Sequence, residues 1–475
     1  DEQLYCEAMT DNAYTKQPND ATQNIGNGSY STADPYVKKV WDGRYTGIRM
    51  CNELLENIDR VPDLDPELKK RYIGEAKVLR AYNYYELYTK FGDVPYTTKV
   101  LSIKESMSIA RTAKATVIAN VLADLDEVIN GNYLPTSYDA DNKGRITRWA
   151  AMAIKAKIYL FEGNWTQVKN ITSTIMTEGG FKLFESYAGL FEIANEYNSE
   201  VILDAQYRPT SREHQMMYVF LPPTLGGYSQ LSPLQELVDS YIMLDGKTIK
   251  ETGTSFDESH PYANRDPRLK ATVMYTGNSY TLADGTEVVI NCEKGEGKDG
   301  YGVGSDCSAT GYYIKKYWDN TYRATLYSGL NPILIRYADI LLMNAEALAE
   351  LGELDKTAWD ATIKPIRDRA GFTLASALEF PEGASKDKLI EIVRNERRSE
   401  LALEGHRHKD IIRWRIADNV LNGWCHGLKT NDVVGTDDGY VRVENRTFNA
   451  NKHYLWPIPQ AERDLNGNLE QNPNW

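Results

Sequence analysis

The sequence predicts a mainly α-helical protein, a scaffold of helix–corner–helix pairs carrying one long insertion with short strands and a β-hairpin. Three observations predict it. Apolar residues recur at helical spacing through 35–194 and again from 331 onward. Corners of two or three residues rich in Gly and Asn join consecutive periodic segments. Between them, 195–330 loses that period and fills with Gly, Pro and Asp turns. A single domain over 1–475 is expected. Its parts are a polar loop at 1–34, a helical scaffold at 35–194, a variable insertion at 195–330, and a helical part with an irregular tail at 331–475.

The elements follow in order. Residues 1–34 are rich in Asn, Thr, Asp and Gly and read as a long loop. Pro35 opens a helix to Asp59, with Val37, Val40, Trp41, Ile48, Leu54, Leu55 and Ile58 as its apolar stripe. Pro62 and Pro66 interrupt it, and a second helix runs from Glu67 to Phe91, stopped by Gly92 and Pro95. Its second half is apolar on nearly every side, which predicts burial between neighbours. Helices are expected at 114–130, 147–162 and 165–178. The Gly163-Asn164-Trp165 corner follows the logic of tetratricopeptide units, where small residues let antiparallel helices approach closely. In the insertion, 280–291 reads as a hairpin turning at Asp284-Gly285. Helices at 335–351, 354–370, 387–403 and 406–421 complete the reading.

Composition narrows the function. Lys and Arg number 54 against 67 Asp and Glu, a net charge of −13, which argues against a nucleic-acid binder. No run approaches the roughly 20 apolar residues of a membrane helix. Asp1 begins in polar sequence rather than a signal peptide, so any export signal or anchor is expected upstream. The five cysteines form no C-x-x-C pair. Cys292 and Cys307 flank a Gly-rich loop, where an oxidising compartment would permit a disulfide; two unrelated thiols are the alternative.

Several motifs fail on inspection. Gly295-Glu-Gly297-Lys-Asp-Gly300 spells G-x-G-x-x-G, but no helix follows to hold a pyrophosphate. Asp139-Ala-Asp141-Asn-Lys143 starts like a calcium loop, yet Ala150 stands where the bidentate Glu belongs. His406 and His408 fit no zinc spacing. Glu396, Glu400 and Glu404 recur at i, i+4 among Arg394, Arg397, Arg398 and Arg407. A glycosidase pair needs an open cleft and a raised acid pKa, whereas arginines lower it, so these read as structural salt bridges.

Aromatics are the remaining candidates, with 32 Tyr and 11% aromatic residues overall. Tyr14, Tyr30 and Tyr36 lie in or beside the polar N-terminal segment; Tyr218, Tyr228, Trp318 and Tyr322 lie in the insertion. Rings beside short polar groups such as Asp11, Asn12 and Arg212 are equipment for holding sugars, with ring faces on C–H patches and polar groups on hydroxyls. Ordinary packing is the competing account of any one ring.

Five ordered motifs carry a family resemblance. They are Ile48-Arg-Met-Cys-Asn52, then Glu75-Ala-Lys-Val-Leu-Arg-Ala81 through Phe91-Gly-Asp-Val-Pro95. Arg336-Tyr-Ala-Asp-Ile-Leu-Leu-Met-Asn-Ala-Glu-Ala-Leu348 follows, then Asn395-Glu-Arg-Arg-Ser-Glu-Leu-Ala-Leu-Glu-Gly-His-Arg407. Trp456-Pro-Ile-Pro-Gln-Ala-Glu462 through Leu469-Glu-Gln-Asn-Pro473 closes the series. Together they resemble the SusD/RagB family of Bacteroidetes outer-membrane nutrient-binding lipoproteins. The resemblance implies four tetratricopeptide-like helix pairs and glycan binding without catalysis or cofactor. It also implies a SusC-like TonB-dependent transporter as partner and a lipid anchor upstream, facing outward from the outer membrane. Cys6 sits in no lipobox.

By the same resemblance, ligand residues come from about Asp11–Tyr36 and about Tyr207–Tyr228, with Tyr218 and Tyr228 near two aromatics of the starch-binding member's arc. The expected set is Asp11, Asn12, Tyr14, Tyr30, Tyr36, Arg212, Tyr218, Tyr228 and Trp318, the last on grounds of exposure. A glycoside hydrolase using a Glu pair and a tetratricopeptide-type protein adaptor are the alternatives.

Overall fold

The computed structural model describes residues 2–16, 22–322 and 325–475. The chain forms two compact units, each assembled from separated stretches of sequence. One comprises 28–179, 412–418 and 448–475; the other comprises 1–27, 180–411 and 419–447.

The first unit is helical. Pro35–Asn57, Pro66–Phe91, Lys114–Asn130, Arg148–Phe161 and Trp165–Glu178 pack in succession, and all five match the sequence periodicity. Helix starts are chemically marked. Asp34 accepts from the Tyr36 amide at 2.9 Å ahead of Pro35, and Asp65 accepts from the Leu68 amide at 2.8 Å ahead of Pro66. The half of Pro66–Phe91 read as buried is buried, with Tyr84, Leu87, Tyr88 and Phe91 closed off from solvent. The C-terminal motif then seals this unit. The Trp456 amide donates to Lys90 O at 2.7 Å, and Asn472 Nδ2 bridges the carbonyls of Phe91 and Trp456 at 2.9 and 2.7 Å.

The second unit combines the helices Tyr337–Leu351, Lys356–Ala370 and Lys386–Glu400 with small sheets. Ala13–Thr15 pairs antiparallel with Leu231–Pro233, and Val201–Asp204 with Ile333–Arg336. The anticipated hairpin is present as Ser279–Thr281 against Glu287–Val289, with Gly285 at φ +82° in its turn.

Four local expectations need correction. Residues 2–16 are not a polar loop but a helical turn, a 3-10 turn and a strand, with Leu4, Ala8 and Ala13 in the hydrophobic core. The polarity misled because Glu7, Asp11 and Asn12 are buried and bonded within the fold. Residues 333–336 form a strand before their helix begins at Tyr337. The helix expected over 406–421 is only Arg407–Arg413 and then Ala417–Val420, broken where Arg415 adopts φ +56°. Part of the supposedly irregular tail is a three-stranded sheet of Gly423–Lys429, Thr436–Asp437 and Tyr440–Arg446. The Asp438-Gly439 turn, with φ of +51° and +87°, carried the same hairpin signal as Asp284-Gly285.

A buried charge lattice organises the second unit. Glu396 bonds Arg268 at 2.6 Å and Arg367 at 2.7 Å. Glu400 bonds Arg268 at 2.9 Å, Arg336 at 2.6 Å, and Arg369. Glu404 bonds Arg336 at 2.7 Å and Lys316 at 2.6 Å, while Arg336 also reaches Glu200 at 2.7 Å. The salt-bridge reading of this stripe is what the structure shows. Burial would raise these carboxyls, but the guanidinium groups overcome it, holding Glu404 at about 2 and Glu400 lower still.

Two consequences are measurable. Glu400→Gln leaves Arg336 and Arg369 short of a carboxylate in the interior, and urea unfolding is expected to show a loss of about 3–5 kcal/mol. Because the folded pKa of Glu404 lies below its ordinary 4.5, its contribution is complete above about pH 4.5 and is lost as pH falls toward 2. A Tm series is expected to decline across that acid window and to decline less in Glu404→Gln.

A tyrosine-lined surface site

The path from residue 207 to 230 is built to present rings. His214 and Ser328 exchange backbone hydrogen bonds at 2.9 Å, which brings the start of this path beside 326–330. The short helix Met216–Phe220 follows, with Met216, Met217, Val219 and Phe220 buried and Tyr218 the half-buried member. Pro222 and Pro223 then set a 3-10 turn, and the chain doubles back through Gly226 and Gly227. Gly226 takes φ +85°, open to glycine at no steric cost. Gly227 passes so close to Leu221 that a Cβ there would lie 2.1 Å from the Leu221 carbonyl oxygen. The return is locked by Tyr228 N to Tyr218 O at 3.1 Å, Ser229 N to Leu221 O at 3.2 Å and Gln230 N to Val219 O at 2.6 Å.

The result is a tyrosine pair, Tyr218 and Tyr228, with ring centroids 4.3 Å apart and tilted 35°. Tyr228 is 38% exposed. Tyr327, 41% exposed, stands close by, its hydroxyl accepting from Gln215 Nε2 at 2.6 Å. The Tyr218 phenol is held above its ordinary value by its hydrogen bond with Tyr228 and then by partial burial, with Tyr327 and Asp306 adding to the effect. From below, Asp299 clamps the turn, accepting from the Thr224 amide at 2.8 Å and its hydroxyl at 2.5 Å.

The N-terminal segment meets this path. Tyr14 sits opposite Ser232 in the Ala13–Thr15 pairing, half-buried, with its hydroxyl 3.3 Å from Gln23 Nε2. The Lys16 amide donates to Gln230 O at 2.9 Å, and Lys16 Nζ reaches the Cys307 carbonyl at 2.8 Å. The two stretches therefore meet at the backbone, through Lys16 and Gln230, while the Tyr14 hydroxyl lies beside Gln23, which also bonds Glu444.

Other expected residues lie elsewhere. Asp11 is buried between Arg407 at 2.8 Å and Arg398 at 2.9 Å; burial works to raise its carboxyl, but the two guanidinium groups hold it far below the ordinary range. Asn12 is buried too, donating to Glu7 at 2.9 Å and accepting from Arg398 at 2.9 Å. Tyr30 and Tyr36 belong to the other unit and are packed inside it, against His453 and Trp475 and against Trp456. Arg212 is exposed, its guanidinium 5.1 Å from the Tyr207 ring centre. Trp318 lines a separate 440 Å³ cavity with Tyr187, Phe191 and Lys315, its Nε1 donating to Thr281 O at 3.0 Å. The Tyr322 side chain lies outside the described residues. Cys292 and Cys307 are separate buried thiols rather than a bridge, with Cys307 Sγ donating to Lys298 O at 3.2 Å.

Sequence reasoning missed Gln215, Asp306 and Tyr327. The signal for Tyr327 was its place in an aromatic run before Gly329, and the Gly226-Gly227 pair marked the reversal that joins Tyr218 to Tyr228.

A family profile described as "SusD family" matches residues 189–475, which includes the whole tyrosine path. The chain belongs to the SusD family. A second profile, described as "Starch-binding associating with outer membrane", matches residues 1–160. Among curated SusD relatives, SusD-like protein P25 of Formosa agariphila is 28% identical over 439 residues, covering 85% of this chain and 77% of its own. SusD-like protein P2 of the same organism is 26% identical over 469 residues, covering 96% and 83%. A solved SusD-like carbohydrate-binding protein from Bacteroides fragilis superposes with a TM-score of 0.88 at 29% identity, covering 98% of this chain and 93% of that one. A laminarin-binding SusD-like protein shares the fold with a TM-score of 0.74 at 24% identity, covering 99% and 93%.

The reversal in this SusD protein can be tested directly. Gly227→Ala forces a side chain onto the Leu221 carbonyl, and a loss of about 1–3 kcal/mol in denaturant unfolding is expected. Gly297→Ala, at φ +59° with open space around it, is expected to cost only about 1 kcal/mol.

Proposed function

We propose that this protein is a non-catalytic glycan-binding protein, holding a sugar chain on the Tyr218–Tyr228–Tyr327 surface. It acts as an outward-facing outer-membrane lipoprotein and hands the chain to a SusC-like TonB-dependent transporter. The observation that carries the reading is the tyrosine pair itself, fixed in the open by a double-glycine reversal. Exposed, preorganised rings cost little entropy on binding, and their flat faces match the C–H faces of pyranose rings. Gln215 and Asp306 lie beside the rings and supply hydrogen-bonding groups suited to hydroxyls. Family membership and the likeness to a SusD-like carbohydrate-binding protein of Bacteroides fragilis support the ligand class.

A shallow, wet site of this kind gives Kd values in the micromolar to millimolar range, roughly −8 to −4 kcal/mol. Catalysis by the Glu396–Glu400–Glu404 stripe is disfavoured by its chemistry. All three carboxylates are buried and paired with cations, and their depressed pKa values are the reverse of what a general acid needs.

Affinity electrophoresis against laminarin, starch, xylan, galactomannan and arabinan tests the reading. The wild type is expected to be retarded by at least one of them. Tyr218→Ala and Tyr228→Ala are each expected to weaken that binding tenfold or more, about 1.4 kcal/mol, with Tm unchanged within about 2 °C. Full affinity in both variants would reject the site. Sustained release of new reducing ends from the same polysaccharides would reject the non-catalytic assignment.

A further inference from the structure

A second cleft opens in the same unit, away from the tyrosine pair described above. It has a volume of about 830 Å³ and is walled by the 259–263, 275–277, 292–296 and 428–432 segments. That volume is in the range of small-molecule sites. Tyr262 and Tyr275 stack within it, their centroids 4.0 Å apart and their planes 18° from parallel. Tyr262 is anchored from behind. Its hydroxyl lies 3.2 Å from that of Tyr312, which donates to Gln235 Oε1 at 2.6 Å.

The walls are fixed as well. Lys294 pairs with Asp432 across the cleft, and Lys429 pairs with Glu258 at 3.0 Å. The 293–300 loop is a tight ring: Tyr301 N donates to Cys292 O at 3.1 Å and Gly295 N to Tyr301 O at 3.0 Å. A Cβ on Gly300 would lie 2.2 Å from Glu296 O and 2.4 Å from Glu293 O. So the glycines spaced as G-x-G-x-x-G close a rigid lip rather than cradle a phosphate.

The polar groups left over decide the ligand. Among the described residues, the Tyr275 hydroxyl, the Glu293 and Glu296 carboxylates and the Asn431 amide make no hydrogen bond or ion pair within the protein. The lysines of the cleft are already paired with carboxylates. Unpaired carboxylates accept from hydroxyls and repel acidic sugars, and a stacked aromatic base suits a pyranose face.

We propose that this cleft is a second saccharide site, selective for neutral chains, and that one long glycan can occupy it together with the Tyr218–Tyr228 surface. The ligand class rests on the glycan-binding reading above. One loop ties the two places together: its outer edge, Glu293–Glu296, lines the cleft, while Asp299 grips Thr224 four residues before Tyr228. Chain arithmetic, three residues from Glu296 to Asp299 and four from Thr224 to Tyr228, puts that edge of the cleft within on the order of 30 Å of Tyr228. A polymer reaching both sites gains affinity by raised effective concentration, without any new contact.

The test uses the full chain and the polysaccharide from the panel that retards the wild type, with mobilities normalised to gels lacking polysaccharide. Tyr275→Ala and, as an exposed charge variant that leaves packing untouched, Glu296→Lys are each expected to weaken retardation at least twofold. Tyr218→Ala/Tyr228→Ala is expected to keep residual binding that disappears when Tyr275→Ala is added. Wild-type mobility in both cleft variants would overturn this inference and leave the proposed function standing. Complete loss of binding in the Tyr218/Tyr228 double variant alone would overturn it as well. Unchanged binding in that double variant, with loss in the cleft variants, would keep the cleft and reject the first site. If Tyr275→Ala fails to fold, Glu296→Lys decides. Absence of retardation by every polysaccharide would reject both.

Discussion

Arg336 and the carboxylates around it are the constraint on which the larger unit depends. One guanidinium bonds Glu200, Glu400 and Glu404, and neighbouring cations tie the same carboxylates to Arg268, Arg369 and Lys316. Removing so many charges from water is expensive, and attraction alone does not make such a lattice more stable than apolar packing. What it does impose is geometry. Each ion must be matched, so the strand Ile333–Arg336, the helix Lys386–Glu400 and the segment around Lys316 have one satisfactory arrangement. Asp11 extends the lattice to the N-terminal segment through Arg398 and Arg407. That segment then supplies the strand paired with Leu231–Pro233, just beyond Tyr228, so buried charge helps hold the backbone next to the tyrosine pair.

The two ring surfaces share a construction. Each has a tyrosine pair and a stretch whose glycine permits a backbone approach closed to other residues, at Gly227 in the reversal between the paired rings and at Gly300 in the lip of the cleft. Helical residues carry the frame, and loop residues carry recognition. Asp299 touches both constructions, since its carboxylate holds Thr224 while its backbone is part of the 293–300 loop.

Much of the helical frame was legible because its signals are local. Asp34-Pro35 and Asp65-Pro66 mark helix starts, and the apolar period of 66–91 marks its burial. The charged stripe of Glu396, Glu400 and Glu404 was legible as salt bridges because like charges at that spacing demand cations. What failed was the inference from polarity to exposure in the N-terminal segment. Asp11 and Asn12 look like surface residues, yet their partners are Arg398 and Arg407, far along the chain and invisible to any local window. Tyr30 and Tyr36 failed likewise, because their ring partners, His453, Trp475 and Trp456, come from the other end of the sequence. Tyr218 and Tyr228 are brought together by a reversal that lies between them, so their pairing is within reach of a local reading. The cleft at Tyr262 and Tyr275 gathers four distant segments, and no stretch of sequence announces it.

The interleaving of the chain carries a consequence for how the molecule matures. The Asp11–Arg407 bond spans 396 positions, whereas the five consecutive helices from Pro35 to Glu178 find their partners among near neighbours. During synthesis those helices can condense early and Ala13–Thr15 can pair once Leu231–Pro233 has emerged, while Asp11 waits for Arg398 and Arg407. Asp11 is without its guanidinium partners throughout that interval. Closing Asp11 onto Arg398 and Arg407 is thus a late step, set by their separation along the chain.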